Sequence, residues 1–342
     1  DSRSPHVADL VTQLEGWPAG VRLAASVLRS DPEAFCTLDQ VSLVDYLSSE
    51  WIGQLRPDDL EFLSEVACLD GFTGAMCEEV LERPGSGAMI ARLHHDSVVV
   101  FGLEQRDHEY RMHGLLRRWL SSELQHADPA RWATIHSRAA TYWERNGDIE
   151  TAAEHLIDSG NLGELERLAI EHGGQFFTRG LDATVERWLT VFPPKRLRSS
   201  PGLCGLQSIK ALHAGDDALA VQWLRVLDET VRRQKRPDDD PIVWWSNVLH
   251  AALDEKPAAD LLGVITPARE RLVDGPWSGF AHWVEGALSF LVGDLDTARR
   301  LLEAGAFEAE RLGSPLIVSH CRATSAIIAD ISDDSAAAQQ HD

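Results

Sequence analysis

Lysine residues are the first place to look for phosphate chemistry, because a phosphate-binding loop holds its nucleotide with a lysine that follows a glycine. The chain contains only four lysines, and none of them follows a glycine: Lys195, Lys210, Lys235 and Lys256. The motif G-x-x-x-x-G-K-[ST] is therefore absent. We expect that this chain alone is not an enzyme and that it does not bind ATP or ADP tightly.

One histidine has neighbours that suit the binding of an anion. Residues 108–113 alternate in period two, which predicts a strand with Glu109, Arg111 and His113 on one face. An imidazole N–H can donate a hydrogen bond to an anionic oxygen. On the residues alone, a histidine that caps a helix or fills the core is the simpler interpretation.

A second candidate is the turn Gly16-Trp17-Pro18, which lies between two helical patterns. Glycine allows the backbone to approach a flat ring closely, and proline offers a rigid apolar face. A plain helix-to-helix turn is the alternative.

Other catalytic or metal-binding patterns are missing from the sequence. His94-His95 is not part of an H-E-x-x-H motif, the five cysteines include no C-x-x-C pair, and no G-x-S-x-G elbow is present. The sequence predicts neither a zinc site, nor a disulfide framework, nor a hydrolase. Scattered cysteines favour a reducing cytoplasm.

Tryptophan is unusually frequent, with eleven residues. Most of them fall within helical apolar stripes, where core packing explains them. The adjacent pair Trp244-Trp245 differs, because neighbouring helix positions point about 100° apart. Trp277 follows Gly275-Pro276 and lies in a predicted turn. We expect Trp244, Trp245 and Trp277 to belong to a surface for a ligand or a partner.

The elements that carry these residues fall into two patterns. Residues 56–127 predict three short helices, a β-hairpin and a fourth helix, which is the order of a winged-helix module: 57–66, 74–82, 87–95, 97–101, a turn at 104–107, 108–113 and 115–124. Residues 128–331 predict helices only, and a polar tail follows at 332–342. The predicted fold is mainly α, with one small winged-helix module followed by an α-superhelix of helical hairpins.

A repeat marks the helical part. Gly147-Asp148, Gly180-Leu181-Asp182, Gly215-Asp216 and Gly293-Asp294 each end one helix and begin the next, at spacings of 33, 35 and 78 residues. The period of tetratricopeptide (TPR) repeats is about 34 residues, so the last spacing corresponds to two periods with an insertion, which we place at 232–241. Such repeats form binding surfaces on their concave face.

Charge limits the partners of the chain. With 32 basic and 54 acidic residues the net charge is −22, which argues against direct binding to DNA or to an anionic membrane. No apolar run is long enough to span a membrane. If DNA is a partner, a domain outside this chain must bind it.

Three landmarks in this order resemble one family. The segment 14–25, LEGWPAGVRLAA, is similar to the part that closes the nucleotide-binding region of large ATP-dependent LuxR-type regulators. These form the MalT-like branch of the signal-transduction ATPases with numerous domains (STAND). Residues 110–116, YRMHGLL, resemble the winged-helix signature of that branch, although Met112 replaces the usual aromatic residue and Gly114 is atypical. A helical-repeat sensor follows, as in the family.

The resemblance implies roles for the candidate residues. Residues 1–55 would be the helical lid, where Gly16, Trp17 and Pro18 line the adenine of a bound nucleotide. His113 would reach the β-phosphate of ADP, and Arg111 would add a second cation. The whole protein would be a slow ATPase switch in transcription regulation: an inducer or a protein partner on the repeats would release the resting state, allow nucleotide exchange and promote self-association.

Two alternatives remain open at this point. The chain could be a TPR-like scaffold for protein partners that uses no nucleotide, or the sensor of an enzyme-linked protein in which a cyclase or kinase replaces the DNA-binding domain.

Overall fold

The structure, a computed structural model, describes residues 55–96, 100–102, 109–272 and 275–339. In these residues it has sixteen α-helices and one two-stranded antiparallel sheet. The predicted fold class, mainly α with a single β-hairpin, is confirmed. The chain divides into two compact units, the first up to Asn161 and the second from Leu162.

The first unit contains α1 (Pro57–Val66), α2 (Gly74–Val80), α3 (Ser86–Asp96), β1 (Val100–Gly102), β2 (Tyr110–Met112), α4 (Gly114–Ala127), α5 (Pro129–Arg145) and α6 (Ile149–Asp158). The second unit contains α7 (Leu162–Thr178), α8 (Asp182–Val191), α9 (Pro194–Leu197), α10 (Pro201–His213), α11 (Asp217–Gln234), α12 (Pro241–Leu253), α13 (Ala258–Arg271), α14 (Ser278–Leu291), α15 (Leu295–Arg311) and α16 (Pro315–Gln339). Along the described residues, no helix is both long and apolar enough to cross a bilayer.

The winged-helix order follows from local signals. Pro57 occupies the first turn of α1, where its missing N–H costs no hydrogen bond. The Thr73 hydroxyl caps α2 by accepting from the Met76 N–H at 3.1 Å. In the hairpin, Val100 pairs with Met112, and both are buried. The predicted turn at 104–107 lies outside the described residues.

The first helical hairpin, α5 and α6, belongs to the same compact unit as the winged helix. Arg131 of α5 donates to the buried Glu65 carboxylate of α1 at 2.8 Å and to the Leu81 carbonyl at 3.1 Å. Ile135 and Ala139 of α5 are fully buried in the winged-helix core. Packing therefore continues past the expected domain division after residue 127, as far as Asn161. That division stays a prediction.

Glycine turns separate the hairpins of the helical part. Gly147, Gly215 and Gly293 adopt left-handed backbone with φ of 81°, 74° and 85°, a conformation that favours glycine. The aspartate after each of these glycines accepts a hydrogen bond from the N–H three residues further on and so caps the next helix. The turn at Gly180 differs, because Leu181 takes the cap position there.

The long spacing between Gly215 and Gly293 contains four helices, α11 to α14. The link 235–240 lies within the expected insertion, and it begins with Lys235 in left-handed backbone at φ 52°. The link 254–257 also lacks the glycine-aspartate turn. Helix α16 continues to Gln339, into the segment expected to be a polar tail.

Candidate functional site

Arg111 lies in β2, and His113 lies between the end of β2 and the start of α4. His113 directly precedes the helix, and its carbonyl accepts from the Arg117 N–H at 2.9 Å. Its side chain does not cap α4, so the interpretation as a helix-capping side chain is wrong. Arg111 lies opposite Phe101 in the ladder, and its side chain approaches Gly71 together with that of Glu109. The predicted alternation holds here, since Met112 between these positions is 4% exposed.

The charges around this point are loosely paired. One carboxylate oxygen of Asp70 lies 3.5 Å from a guanidinium nitrogen of Arg111, and the other oxygen lies 3.5 Å from a guanidinium nitrogen of Arg117. Asp70 is 71% exposed, so each pair contributes little to stability. Phosphate oxygens could replace Asp70 between these two guanidinium groups, near the positive end of the α4 dipole. The other predicted nucleotide contacts, Gly16, Trp17 and Pro18, lie outside the described residues.

In the second unit, Trp245 and Trp277 lie together. Their ring centroids are 5.0 Å apart at an interplanar angle of 40°. Trp245 lies on α12 and is buried, whereas Trp277 precedes α14 and is half-buried. Two of the three predicted tryptophans are therefore brought to one place.

Glycines on neighbouring helices make room for both rings. A Cβ added to Gly205 of α10 would overlap the six-membered ring of Trp245, and one added to Gly174 of α7 would overlap that of Trp277. Each indole therefore lies directly against helix backbone, an approach that only glycine permits.

The two rings form part of a cavity of about 560 Å³, which we call the tryptophan cavity. Its apolar lining comes from α7, α10, α12 and the link before α14: Ile170, Pro201, Leu206, Ile242, Trp245, Leu272, Pro276 and Trp277. A cavity of this size with mostly apolar walls and a few polar groups is typical of a small-molecule site.

Carboxylates dominate the polar rim of the tryptophan cavity. Glu166, Glu171 and Asp240 line it, against Arg236 as the only lining guanidinium among the residues described. The rim is held in place by ion pairs, including Arg196 to Glu166 at 2.6 Å and Arg236 to Asp240 at 3.0 Å. The electrostatics favour a neutral or cationic ligand over an anion.

Trp244 does not line the tryptophan cavity. Its Nε1–H donates to the Asp238 carbonyl at 3.0 Å, and the Arg271 guanidinium lies over its ring at 5.5 Å from the centroid. Trp244 therefore contacts the link 235–240 through Asp238 and α13 through Arg271. The two members of the adjacent pair have different contacts because successive helix positions point in different directions.

An aromatic row runs on from the tryptophan cavity, and sequence reasoning missed it. Trp277, Phe280, Trp283 and His320 follow Trp245 with successive centroid distances of 5.0, 6.4, 5.6 and 4.8 Å. Phe280 and Trp283 follow Trp277 at helical spacing, which is the one local signal for the row. The distant members, Trp245 and His320, meet it only through packing.

A buried histidine pair in the first unit was also missed. The Nδ1 atoms of His136 on α5 and His155 on α6 are 3.0 Å apart, and the residues are 3% and 7% exposed. Burial, together with the neighbouring ring, lowers the pKa of His136 to about 3, and burial lowers the pKa of His155 to about 4. Both rings are therefore neutral at pH 7, and the Nδ1–H of one donates a hydrogen bond to the Nδ1 of the other.

Comparison with known proteins bears on both units. A family model, the MalT winged helix domain, matches residues 48–132. A curated relative, the HTH-type transcriptional regulator MalT of Yersinia enterocolitica, is 22% identical over 298 residues, which covers 82% of this chain and 33% of that protein. The serine/threonine-protein kinase PknK of Mycobacterium tuberculosis is 26% identical over 160 residues, which covers 45% of this chain and 14% of that protein.

A solved structure has a similar fold. It is a signal transduction ATPase with numerous domains with a tetratricopeptide repeat sensor, from Pyrococcus horikoshii. It matches with a TM-score of 0.58 at 12% identity and covers 96% of this chain and 54% of that one. The chain thus spans a third or less of the length of these curated relatives. The resemblance inferred from the sequence is confirmed: residues 48–132 match the MalT winged-helix domain, the chain is similar to MalT over most of its length, and its fold is similar to that of a STAND protein.

Proposed function

We propose that the chain is the sensing and gating part of a signal-responsive STAND transcriptional regulator. The observation that carries the proposal is the tryptophan cavity, a built apolar site in a helical-repeat unit that follows a MalT-type winged helix. An inducer or a segment of a partner protein would bind in this cavity. The winged helix would couple that binding to the ADP or ATP state of the whole protein.

Preorganisation supports the binding step. The Trp245 and Trp277 rings lie against helix backbone at Gly205 and Gly174, so neither ring needs to be ordered by the ligand. A site whose side chains are already fixed loses less entropy when a ligand binds. The ligand that fits is flat and apolar, neutral or cationic, and packs on the two indole faces.

Loose charge pairing at the winged helix supports the gating step. In the resting state, a β-phosphate of ADP would take a hydrogen bond from His113 and would share the guanidinium of Arg111 with Asp70. The adenine would lie against Gly16, Trp17 and Pro18. Inducer binding would release this state, permit exchange for ATP and expose surfaces for self-association in the cytoplasm, with DNA bound by a domain outside this chain.

Filling the tryptophan cavity tests the sensing step. Ile242→Trp enlarges a half-buried side chain of the lining, and Ile327→Trp is a matched control at a residue that is 53% exposed on α16 and lies outside the cavity. In the gene product that contains this chain, we expect Ile242→Trp to abolish the response of a reporter to the natural inducing signal. Basal output and the response of the control should stay at the wild-type level. A full response of Ile242→Trp would contradict the proposal.

A kinase-linked sensor is the second candidate function. It is favoured by the 26% identity to the kinase PknK, which is higher than the 22% identity to MalT. In that case the same winged-helix and repeat units would regulate phosphorylation instead of transcription. The domains present in the complete gene product distinguish the two, since the regulator requires a DNA-binding helix-turn-helix and the alternative requires a kinase domain.

A further inference from the structure

The second unit contains another cavity whose chemistry differs from that of the tryptophan cavity. It has a volume of about 690 Å³ and lies where the turn after α7, the end of α10, α14 and the start of α16 come together. We call it the histidine cavity, and its chemically distinctive residues are Arg179, Asp182, His213, Phe280, Trp283 and His320. No motif in the sequence predicts it.

Both histidines of this cavity are held through Nδ1. His213 Nδ1 lies 2.7 Å from the Asp182 carboxylate, and His320 Nδ1 donates to the Leu316 carbonyl at 2.7 Å. Because both partners are oxygen acceptors, Nδ1 carries the proton in each ring. The Nε2 atoms are therefore the nitrogens left for a ligand.

The histidine cavity lacks the excess of carboxylates that the tryptophan cavity has. Asp182, the one carboxylate that lines this cavity among the residues described, is already engaged by His213. The exposed Arg179 forms no ion pair with any carboxylate in the described part of the chain. A guanidinium without a carboxylate partner is the group in this cavity that suits an anion.

The apolar wall is aromatic. Phe280 and Trp283, with centroids 5.6 Å apart, belong to the row described above, and the His320 ring packs edge-on against Trp283 at 4.8 Å. The Trp283 Nε1–H is used within the protein, since it donates to the Thr324 hydroxyl at 3.1 Å. The wall therefore offers ring surface and not hydrogen bonds.

We propose that the histidine cavity binds a small organic anion. A flat apolar body would pack on Phe280 and Trp283, and a carboxylate or a similar charged group would meet the Arg179 guanidinium. The proposal concerns a site separate from the inducer site, and it does not depend on a ligand in the tryptophan cavity.

Calorimetric titration of this chain with naphthoate, and with its neutral analogue naphthylmethanol, tests the proposal. We expect naphthoate to bind about tenfold more tightly than the alcohol, as a charge-assisted contact with a guanidinium predicts. Arg179→Gln should lower the affinity for naphthoate about tenfold and leave that for the alcohol unchanged. Arg225→Gln is the control, because Arg225 is exposed on α11 and lines neither cavity.

Three outcomes would overturn the proposal. One is equal affinity for the anion and the alcohol, and another is unchanged naphthoate binding by Arg179→Gln. The third is loss of naphthoate binding in Ile242→Trp, which fills the tryptophan cavity, because that result would assign the anion to the other site. A full inducer response of Ile242→Trp, which would contradict the proposed function, leaves this proposal untouched, so the two proposals fail independently.

Discussion

Replacing Gly205 by alanine is expected to destabilise the second unit by about 3 kcal/mol, although the same change in an exposed helix interior is stabilising by about 1 kcal/mol. The opposite sign has a steric cause. The new methyl group would overlap the six-membered ring of Trp245, which is 5% exposed and packs against Trp277. Trp245 cannot move aside without disturbing the lining of the tryptophan cavity.

Gly263 provides a matched control on α13. A Cβ added there meets nothing within 4 Å, and the residue is exposed. Gly263→Ala should therefore stabilise the chain by about 0.5–1 kcal/mol. Urea unfolding followed by circular dichroism measures both variants. If Gly205→Ala proved as stable as the wild type, the indole would not lie against the α10 backbone, and the description of the cavity would be wrong.

Acid should destabilise the first unit through the histidine pair. The pKa values of His136 and His155 are lowered to about 3 and about 4, whereas an unfolded chain has histidines near the ordinary value of 6.5. Between these values the unfolded chain binds more protons, so the free energy of unfolding falls as the pH falls. Above about pH 7 neither state binds these protons, and the free energy of unfolding has its full value. Below about pH 6.5 it falls progressively, by on the order of 2 kcal/mol per histidine at pH 5.

Removing the pair should remove that part of the pH dependence. Urea unfolding at pH 7.5 and pH 5.0 is compared for the wild type and for the double variant His136→Phe, His155→Leu. Each protein serves as its own reference at pH 7.5, so a change in absolute stability does not affect the comparison. His126→Gln is the control, because His126 is exposed on α4. An unaltered pH dependence in the double variant would show that the pair is not buried in neutral form.

The elements of this chain could be predicted where local signals decide them. Helix α1 matches its predicted bounds because a proline begins it and its apolar spacing is regular. The turns at Gly147, Gly215 and Gly293 are predictable because left-handed backbone needs glycine and the next aspartate caps the following helix. The position of the insertion between Gly215 and Gly293 is harder to predict, because the extra residues are divided among three links, 235–240, 254–257 and 272–277.

The sites depend on packing that local sequence does not encode. Trp277 rests on Gly174, about a hundred positions earlier in the chain, and no periodicity within either segment indicates that contact. The hydrogen bond between the Ser314 and Thr178 hydroxyls likewise joins α7 to the start of α16 across 136 residues. Trp244 and Trp245 looked equivalent in sequence, and only the packing of α12 separates their roles. The same is true of His213 and His320, which no motif connects.

Nucleotide retention is the most direct test of gating through the winged helix. The gene product that contains this chain is purified as the wild type, as His113→Ala and as His126→Ala, and the nucleotide released on denaturation is quantified by chromatography. His126 is a suitable control because it lies on the same helix, exposed, with Nδ1 bonded to the Ser122 carbonyl. We predict that the wild type and His126→Ala retain ADP in similar amounts and that His113→Ala retains at least about tenfold less, as expected for loss of a charge-assisted hydrogen bond to phosphate. Equal retention of ADP by His113→Ala and the wild type would contradict the account.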